Sequence, residues 1–289
     1  MSRKKKQIPD QDSTGISSKS SGKEKKKKSG FSLFGIYCEN INPFLVKRHL
    51  IYLIFLGILT KIIVICATTL FLTMLVGTPA IHYYDSFDYK YYLQGAYNIL
   101  QGHIPYVEFG FDYPPYIFIP IFLALIPGIL FNNQEIFIYS FQLLMVICDI
   151  IIIICIYLIG LKLGNEKTAF IAAGLYATAF SVAYLVITKY DAFPTCILML
   201  AVLFTVYSRN IIGYIALVVG FLAKIFPVIA IPFTVLYNAK STSIRQEIIY
   251  ILKIWIPVAV VFLVPILILK PGILASYFSG SLVVSLIHI

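Results

Sequence analysis

The sequence predicts an all-α polytopic membrane protein with about seven transmembrane helices and a long first external loop. Hydrophobic residues make up 60% of the 289 residues and charged residues only 12%, a balance that soluble domains do not have. Apolar runs of about 18 or more residues, the length that crosses a bilayer as a helix, recur along the chain. The charge is uneven: residues 1–48 contain 12 Lys or Arg and 4 Asp or Glu, and the rest contain 11 and 9.

The first segment, residues 1–47, is expected to be a disordered, basic, cytoplasmic tail that precedes a transmembrane domain at 48–289. Its first 30 residues are rich in Ser, Gly and Lys and nearly free of apolar side chains. Basic residues ahead of a first apolar helix stay in the cytoplasm and attract anionic lipid. Nucleic-acid binding is not expected, because the charges of the remaining chain nearly cancel.

The apolar runs predict seven crossings, at about 50–78, 136–161, 168–187, 192–207, 211–223, 227–238 and 248–269. The first external loop then covers 79–135, and its apolar part at 114–128 is short and interrupted by proline. If that part crossed the membrane, the segment 162–167 would lie outside. If it only dips into the membrane or lies along its surface, six basic side chains join the tail in the cytoplasm, as the positive-inside rule favours. The sequence thus predicts a multi-pass cell-membrane protein with a cytoplasmic N-terminus.

Two carboxylates follow the first helix in the stretch YYDSFDYKYY, residues 83–92. Asp85 and Asp88 are three residues apart, so on a helical turn they share a face. They are then able to share a metal ion, or to divide the roles of base and binding group. The alternative is a solvated loop, in which acids at the membrane surface cost little.

A second outer loop, TKYDAFP at 188–194, adds Lys189 and Asp191 to the same side of the membrane. Taken alone, Asp191 is also a residue that favours a helix N-terminus. Lys224 lies in GFLAKIFPVIAIP, between two apolar half-segments, where a charge indicates a functional site. It is a candidate phosphate ligand, and a lysine that extends to the membrane surface is the alternative.

Lys61 and Asp149 are expected to form a structural ion pair. Each lies 11 or 12 residues from the inner end of its predicted helix, which is about 16–18 Å deep at 1.5 Å per residue. Two opposite charges at the same depth in hydrocarbon are expected to pair. We predict a separation below about 6 Å and assign the pair no catalytic role.

The order of these motifs resembles the membrane-embedded C-type (GT-C) glycosyltransferases, most of all the polyprenyl-phosphate-mannose-dependent branch that includes the family 87 proteins. The matching pieces are Asp85–Asp88, AYNILQGHIPY at 96–106, YPP at 113–115, KYD at 189–191 and LAKIFP at 222–227. The resemblance covers about 50–289. In that superfamily a seven-helix module carries a catalytic or metal-binding Asp in its first external loop and a second acidic site in the next.

The resemblance implies an inverting hexosyltransferase with its active site on the extracytoplasmic face. It would move a hexose, with mannose as the expected sugar, from polyprenyl or dolichyl phosphate to a glycan or glycolipid acceptor. Asp85 is implied as the leading base, with Asp88 and Asp191 in support. No cofactor is certain, and a divalent cation, Mg²⁺ or Mn²⁺, is the one candidate. Candidate substrate-binding residues carry rings or charges suited to sugar and phosphate: Tyr84, Tyr106, Tyr113, Lys189 and Lys224.

Two other functions remain open, a transporter or flippase and a non-catalytic membrane scaffold. Broken helices with polar residues at mid-membrane would favour transport. The collection of acids at one face favours an enzyme. The stretch 272–289 is apolar or amphipathic with no polar finish, and members of the superfamily commonly have further helices after the seventh. The chain is therefore expected to be a fragment or half of a split protein, and a short interfacial helix as a natural end is the alternative.

Overall fold

A computed structural model describes residues 30–39, 41–76 and 86–269. The described chain begins with a short antiparallel hairpin, β1 (Gly30–Leu33) and β2 (Ile36–Glu39). Phe34 and Gly35 connect the strands, both with positive φ (52° and 69°), the backbone that a tight hairpin turn requires. Secondary structure therefore starts before the boundary expected at residue 47, and it includes a small sheet in an otherwise helical chain.

Ten α-helices follow in the described residues. Their bounds are α1 (Pro43–Val76), α2 (Ser86–Leu100), α3 (Phe118–Leu130), α4 (Gln134–Leu163), α5 (Glu166–Ala177), α6 (Phe180–Thr188), α7 (Ala192–Val206), α8 (Asn210–Ala223), α9 (Ala230–Asn238) and α10 (Ile244–Leu269). Short 3₁₀ turns precede α3 and α9, at Pro115–Ile117 and Phe226–Ile229, with proline as the first residue of one turn and the second residue of the other.

The segment predicted as the first external loop contains an amphipathic helix, α2, where the polar composition had predicted loop. Its buried positions recur with helical spacing: Asp88, Tyr89, Tyr92, Leu93 and Ala96. This face packs on α3 and α4, and its rings form the largest aromatic cluster of the described chain. The helix thereby brings Asp88 to the body of the protein instead of leaving it in a solvated loop.

The third predicted crossing is bent. Residues 168–187 were expected to form one helix, but α5 and α6 meet at an angle of 56° around Thr178 and Ala179. Neither Gly nor Pro stands at the break. The Thr178 hydroxyl donates to the Gly174 carbonyl (2.9 Å), a side-chain bond that competes with the helix ladder.

Contacts between helix termini define two ends of the bundle. At one end the start of α1 and the end of α7 lie with the end of α4: Tyr157 Oη is 3.0 Å from His49 Nδ1, and Tyr207, the C-cap of α7, donates to the Leu158 carbonyl. At the other end α2 lies against the end of α6, where Tyr89 donates to the Ile187 carbonyl. Successive long helices therefore run in alternate directions between the two ends.

Two described helices are long and apolar enough to cross a membrane, α4 and the Pro43–Ala67 part of α1. The bent pair α5–α6 makes a third if it counts as one span. The outward side chains of α1 are large and apolar, among them Ile51, Phe55 and Ile62, as a lipid-facing surface requires. Several other helices are shorter than a bilayer: α7, with 15 residues, is about 22 Å long against about 30 Å of hydrocarbon.

Candidate functional site

Three charged residues predicted on the outer side of the membrane, and a fourth, Lys224, predicted near that side, form two ion pairs at the same end of the bundle. Lys189 Nζ donates to Asp88 Oδ2 at 2.7 Å, and Lys224 Nζ donates to Asp191 Oδ1. The partners are 101 and 33 residues apart in the chain. The structure therefore joins the first external loop, the second loop and the α8–α9 connection in one site.

Helix ends place three of these side chains. Helix α6 ends at Thr188, and Lys189 is extended (φ −128°, ψ 164°), so the chain leaves the helix axis there. Helix α8 ends at Ala223, and Lys224 is also extended (φ −155°, ψ 152°) ahead of the 3₁₀ turn that contains Pro227. Asp191 stands at the N-cap of α7 but makes no side-chain capping bond. Its position at the helix N-terminus is the one that the alternative expected, and its carboxylate binds Lys224 in addition.

Lys224 does not extend to the membrane surface. Only 9% of the residue is exposed, and its ammonium lies 5.2 Å from the centroid of the Tyr190 ring. The Tyr190 hydroxyl donates to the Ala223 carbonyl (3.2 Å), which ties the loop after α6 to the end of α8. The lysine is thus held by a carboxylate and a ring face, as a desolvated cation requires.

Three buried tyrosine rings pack together beside the ion pairs. The Tyr113 and Tyr190 ring centroids are 5.0 Å apart, and Tyr92 lies 5.9 Å and 6.0 Å from them. Burial is the main cause that raises the pKa of Tyr113 above its usual range, and the negative charges of Asp88 and Asp191 act in the same direction. Tyr113 is therefore neutral and within electrostatic reach of both carboxylates.

The Tyr92 hydroxyl is buried beside the Tyr113 hydroxyl and makes no hydrogen bond of normal geometry with a described residue. The residue is 0% exposed, and burial raises its pKa well above the usual range, with Tyr113 and Asp88 adding to the effect. A buried polar group that lacks a partner costs about 1–3 kcal/mol. Such a group inside a cluster of charges calls for an explanation in terms of function.

Tyr106 does not line the ion pairs but holds the backbone of Tyr113. Its hydroxyl donates to the Tyr113 carbonyl at 2.6 Å, and its backbone N–H donates to the Phe109 carbonyl. Its positive φ of 68° belongs to the tight loop that these bonds close. The structure places Tyr106 where it fixes the position of Tyr113, with its own hydroxyl already engaged.

Asp85 and Tyr84 lie outside the described residues. Helix α2 begins at Ser86, directly after them. Within the described ranges no group of three or more His, Cys, Asp or Glu side chains could hold a metal ion, and Asp88 and Asp191 are each held by an ammonium group. These described carboxylates are bound to lysines and do not form a divalent-cation site.

The predicted pair of Lys61 and Asp149 is confirmed. Lys61 Nζ lies 2.5 Å from Asp149 Oδ2 and also donates to the Gly57 carbonyl at 3.3 Å. Tyr176 donates to the other carboxylate oxygen at 3.0 Å. The pair joins α1, α4 and α5 in the middle of the bundle and takes no part in the site at its end.

Sequence reasoning missed a second polar cluster, at the opposite end. Glu247 is fully buried and accepts bonds from Tyr214 (2.5 Å), Thr242 (2.5 Å) and Asn238 (3.4 Å). The predicted seventh crossing started at 248, which left Glu247 in a polar loop, whereas α10 starts at Ile244. The network ties α8, α9 and α10 together.

No protein-family model, no characterised protein and no solved structure matches this chain. The function is therefore argued from the site itself.

Proposed function

We propose that the protein is an integral membrane glycosyltransferase that moves a hexose from a polyprenyl phosphate to a glycan or glycolipid acceptor. The observation that carries the proposal is the meeting of two carboxylates, two ammonium groups and three tyrosine rings at one end of the bundle. Transfer from a sugar phosphate needs all three kinds of group: a base for the acceptor hydroxyl, cations for the departing phosphate, and ring faces for the sugar.

In the proposed reaction an acceptor hydroxyl attacks the anomeric carbon of the donor. A carboxylate takes the hydroxyl proton, the carbon–oxygen bond to the phosphate breaks, and the phosphate leaves with the electron pair. A single displacement of this kind inverts the anomeric centre. Asp85 is the leading base, as the resemblance implies, and Lys189 and Lys224 neutralise the charge that develops on the phosphate.

The proposal places the site on the extracytoplasmic face of a seven-crossing protein. The opposite end of the bundle carries more of the basic side chains, in agreement with the positive-inside rule: Lys47, Arg48, Lys162, Lys167, Arg209, Lys240 and Arg245. Nucleotide sugars are absent outside the cytoplasm. A lipid-linked donor that reaches the site from the bilayer fits this position.

Transfer of labelled mannose from a polyprenyl phosphate tests the function. The full-length protein in native-lipid vesicles is expected to move the label into glycolipid or polymer-linked glycan. Asp85→Asn is expected to lower the rate by about 10²–10⁴-fold, because a positioned base contributes that factor. Asp88→Asn and Asp191→Asn are each expected to lower the rate as well.

Asp112→Asn is the matched control, since this carboxylate belongs to the same external loop and its side chain is exposed. Its rate should equal that of the wild type. An unchanged rate in Asp85→Asn would remove Asp85 as the base. A wild-type protein that transfers no sugar from any polyprenyl phosphate would overturn the function.

Transport is the second candidate, and the broken helices favour it. Helices α5 and α6 bend by 56°, and the chain between α8 and α9 is extended at the charged residue Lys224. Discontinuous helices that point their ends at charged groups are typical of transporters. Movement of an unmodified lipid phosphate across a vesicle membrane, with no sugar transferred, would favour this candidate.

A further inference from the structure

The described structure shows the site with its cations already neutralised. Asp88 and Lys189 have side chains that are 10% and 19% exposed, and they are in direct contact at 2.7 Å. Lys224, 11% exposed at its side chain, is likewise bound by Asp191. A phosphate that enters this site meets two lysines that are bound by carboxylates of the same chain, so binding requires a change of partners.

Tyr92 provides a destination for one of the displaced carboxylates. It stands four residues after Asp88 on α2, so both side chains lie on the same face of the helix. Its hydroxyl is fully buried and lies beside the Tyr113 hydroxyl, and it makes no hydrogen bond of normal geometry with a described residue. The charge of Asp88 acts on this hydroxyl, which places the two groups within electrostatic reach of each other.

We propose that the site works by partner exchange: a phosphate monoester or diester takes the Lys189 ammonium, and Asp88 moves to accept a hydrogen bond from the Tyr92 hydroxyl. The exchange links phosphate binding to the state of the carboxylate. While Asp88 binds Lys189, its lone pairs are held by the ammonium group. Once the phosphate has replaced it, Asp88 is released from the lysine, and a hydrogen bond from the neutral Tyr92 hydroxyl stabilises its charge. The inference rests on the proposed function only for the kind of ligand.

The test is phosphate binding to the full-length protein in detergent, measured by calorimetry with two probes, inorganic phosphate and farnesyl phosphate. Asp88→Asn removes the competitor of the phosphate, so the affinity is expected to rise about tenfold, which corresponds to ~1.4 kcal/mol. Tyr92→Phe removes the destination of Asp88, so the affinity is expected to fall by a similar factor. Its melting temperature should change little, because the hydroxyl makes no hydrogen bond of normal geometry in the described structure.

The double variant gives the sharpest result. With Asp88 already neutral, Tyr92→Phe should change the phosphate affinity no further, so the two substitutions are not additive. Tyr89→Phe is the matched control on the same helix, because its hydroxyl donates to the Ile187 carbonyl at 3.3 Å. This control is expected to lower the melting temperature and leave phosphate affinity unchanged.

Three results would overturn the exchange: weaker phosphate binding by Asp88→Asn, unchanged binding by Tyr92→Phe, or additive effects in the double variant. A second measurement does not depend on the folding of Asp88→Asn. Phosphate added to the wild type should shift a tyrosine C–O band in the infrared difference spectrum, and this shift should be absent in Tyr92→Phe and retained in Tyr89→Phe. An unshifted wild-type band would count against the exchange.

The outcome separates this inference from the proposed function. The expected binding pattern together with an absence of sugar transfer would support the exchange and reject the transferase. Sugar transfer together with additive binding effects would support the transferase and reject the exchange. The probe that binds more tightly identifies the source of the phosphate, a lipid headgroup or the free ion.

Discussion

The stability that Lys61 and Asp149 contribute depends on their burial, because each charge is costly without its partner. Both are nearly inaccessible, with side chains 6% and 0% exposed, and each would be a bare charge in an apolar helix without the other. The Tyr176 hydroxyl donates to the second carboxylate oxygen of Asp149, and the Gly57 carbonyl accepts a hydrogen bond from the Lys61 ammonium group. A buried pair of this kind adds little over a well-packed apolar replacement, but the loss of one partner is expensive.

Lys61→Met is therefore expected to lower the free energy of unfolding by about 3–5 kcal/mol. Addition of Asp149→Asn should restore the greater part, since the amide oxygen can still accept from Tyr176 without a buried charge. Unfolding by denaturant in mixed micelles measures the free energy of unfolding of the single variant and of the double variant. A double variant no more stable than Lys61→Met would show that the charge of Asp149 is not the cause.

At the scale of elements, close approach between α4 and α5 depends on one glycine. A Cβ atom at Gly160 would lie 2.7 Å from the Ala169 Cα, a backbone atom that cannot move aside alone. Gly174, on α5, is different: its Cβ would find only the Leu53 side chain, at 3.9 Å. The close packing of the two helices therefore requires a glycine at position 160, whereas no packing contact requires one at position 174.

Gly160→Ala is expected to separate α4 from α5 and to lower stability by about 1–3 kcal/mol, the usual effect of overpacking. Gly174→Ala should raise it by about 0.5–1 kcal/mol, because alanine restricts the unfolded chain and favours the helix. Thermal unfolding of the two single variants, compared in one detergent, gives the answer. Equal effects of the same sign would contradict the packing argument.

The elements also show which parts of the fold a sequence specifies. Long apolar runs determine α1 and α4 directly. The helix α2 was missed although its buried residues recur at helical spacing, because its polar and aromatic composition is that of a membrane-surface loop. The bend at Thr178 has no signal in the sequence, since a hydroxyl that bonds to the Gly174 carbonyl looks like any threonine until the helix is built.

The candidate site was predictable in its members but not in its pairs. The predicted membrane side grouped Asp88, Lys189 and Asp191 and placed Lys224 near them. Which carboxylate meets which lysine depends on the helical phase of α2 and on where α6 and α8 end, and these are decided by packing. Glu247 was missed because its helix starts four residues before the predicted crossing, and its partners come from three other segments.

At the scale of the whole molecule, the two ends of the bundle lead to a test of orientation. Single cysteines at Asn165, beside the end of α4, and at Gly110, in the first external loop, are placed in a chain whose native cysteines are replaced by alanine. A membrane-impermeant maleimide is expected to label position 110 in intact cells and position 165 only after lysis. Labelling of both in intact cells would contradict the proposed topology.

The Lys61–Asp149 pair also affects how the protein is inserted into the membrane during its synthesis. Its two members are 88 residues apart, so at about 5–20 residues per second Asp149 is synthesised roughly 4–18 s after Lys61. During that interval α1 alone carries an unpaired cation, which opposes release into lipid by about 2.5–3.5 kcal/mol. We expect the insertion machinery to retain α1 until α4 arrives, so that the first helix enters the bilayer together with its partner.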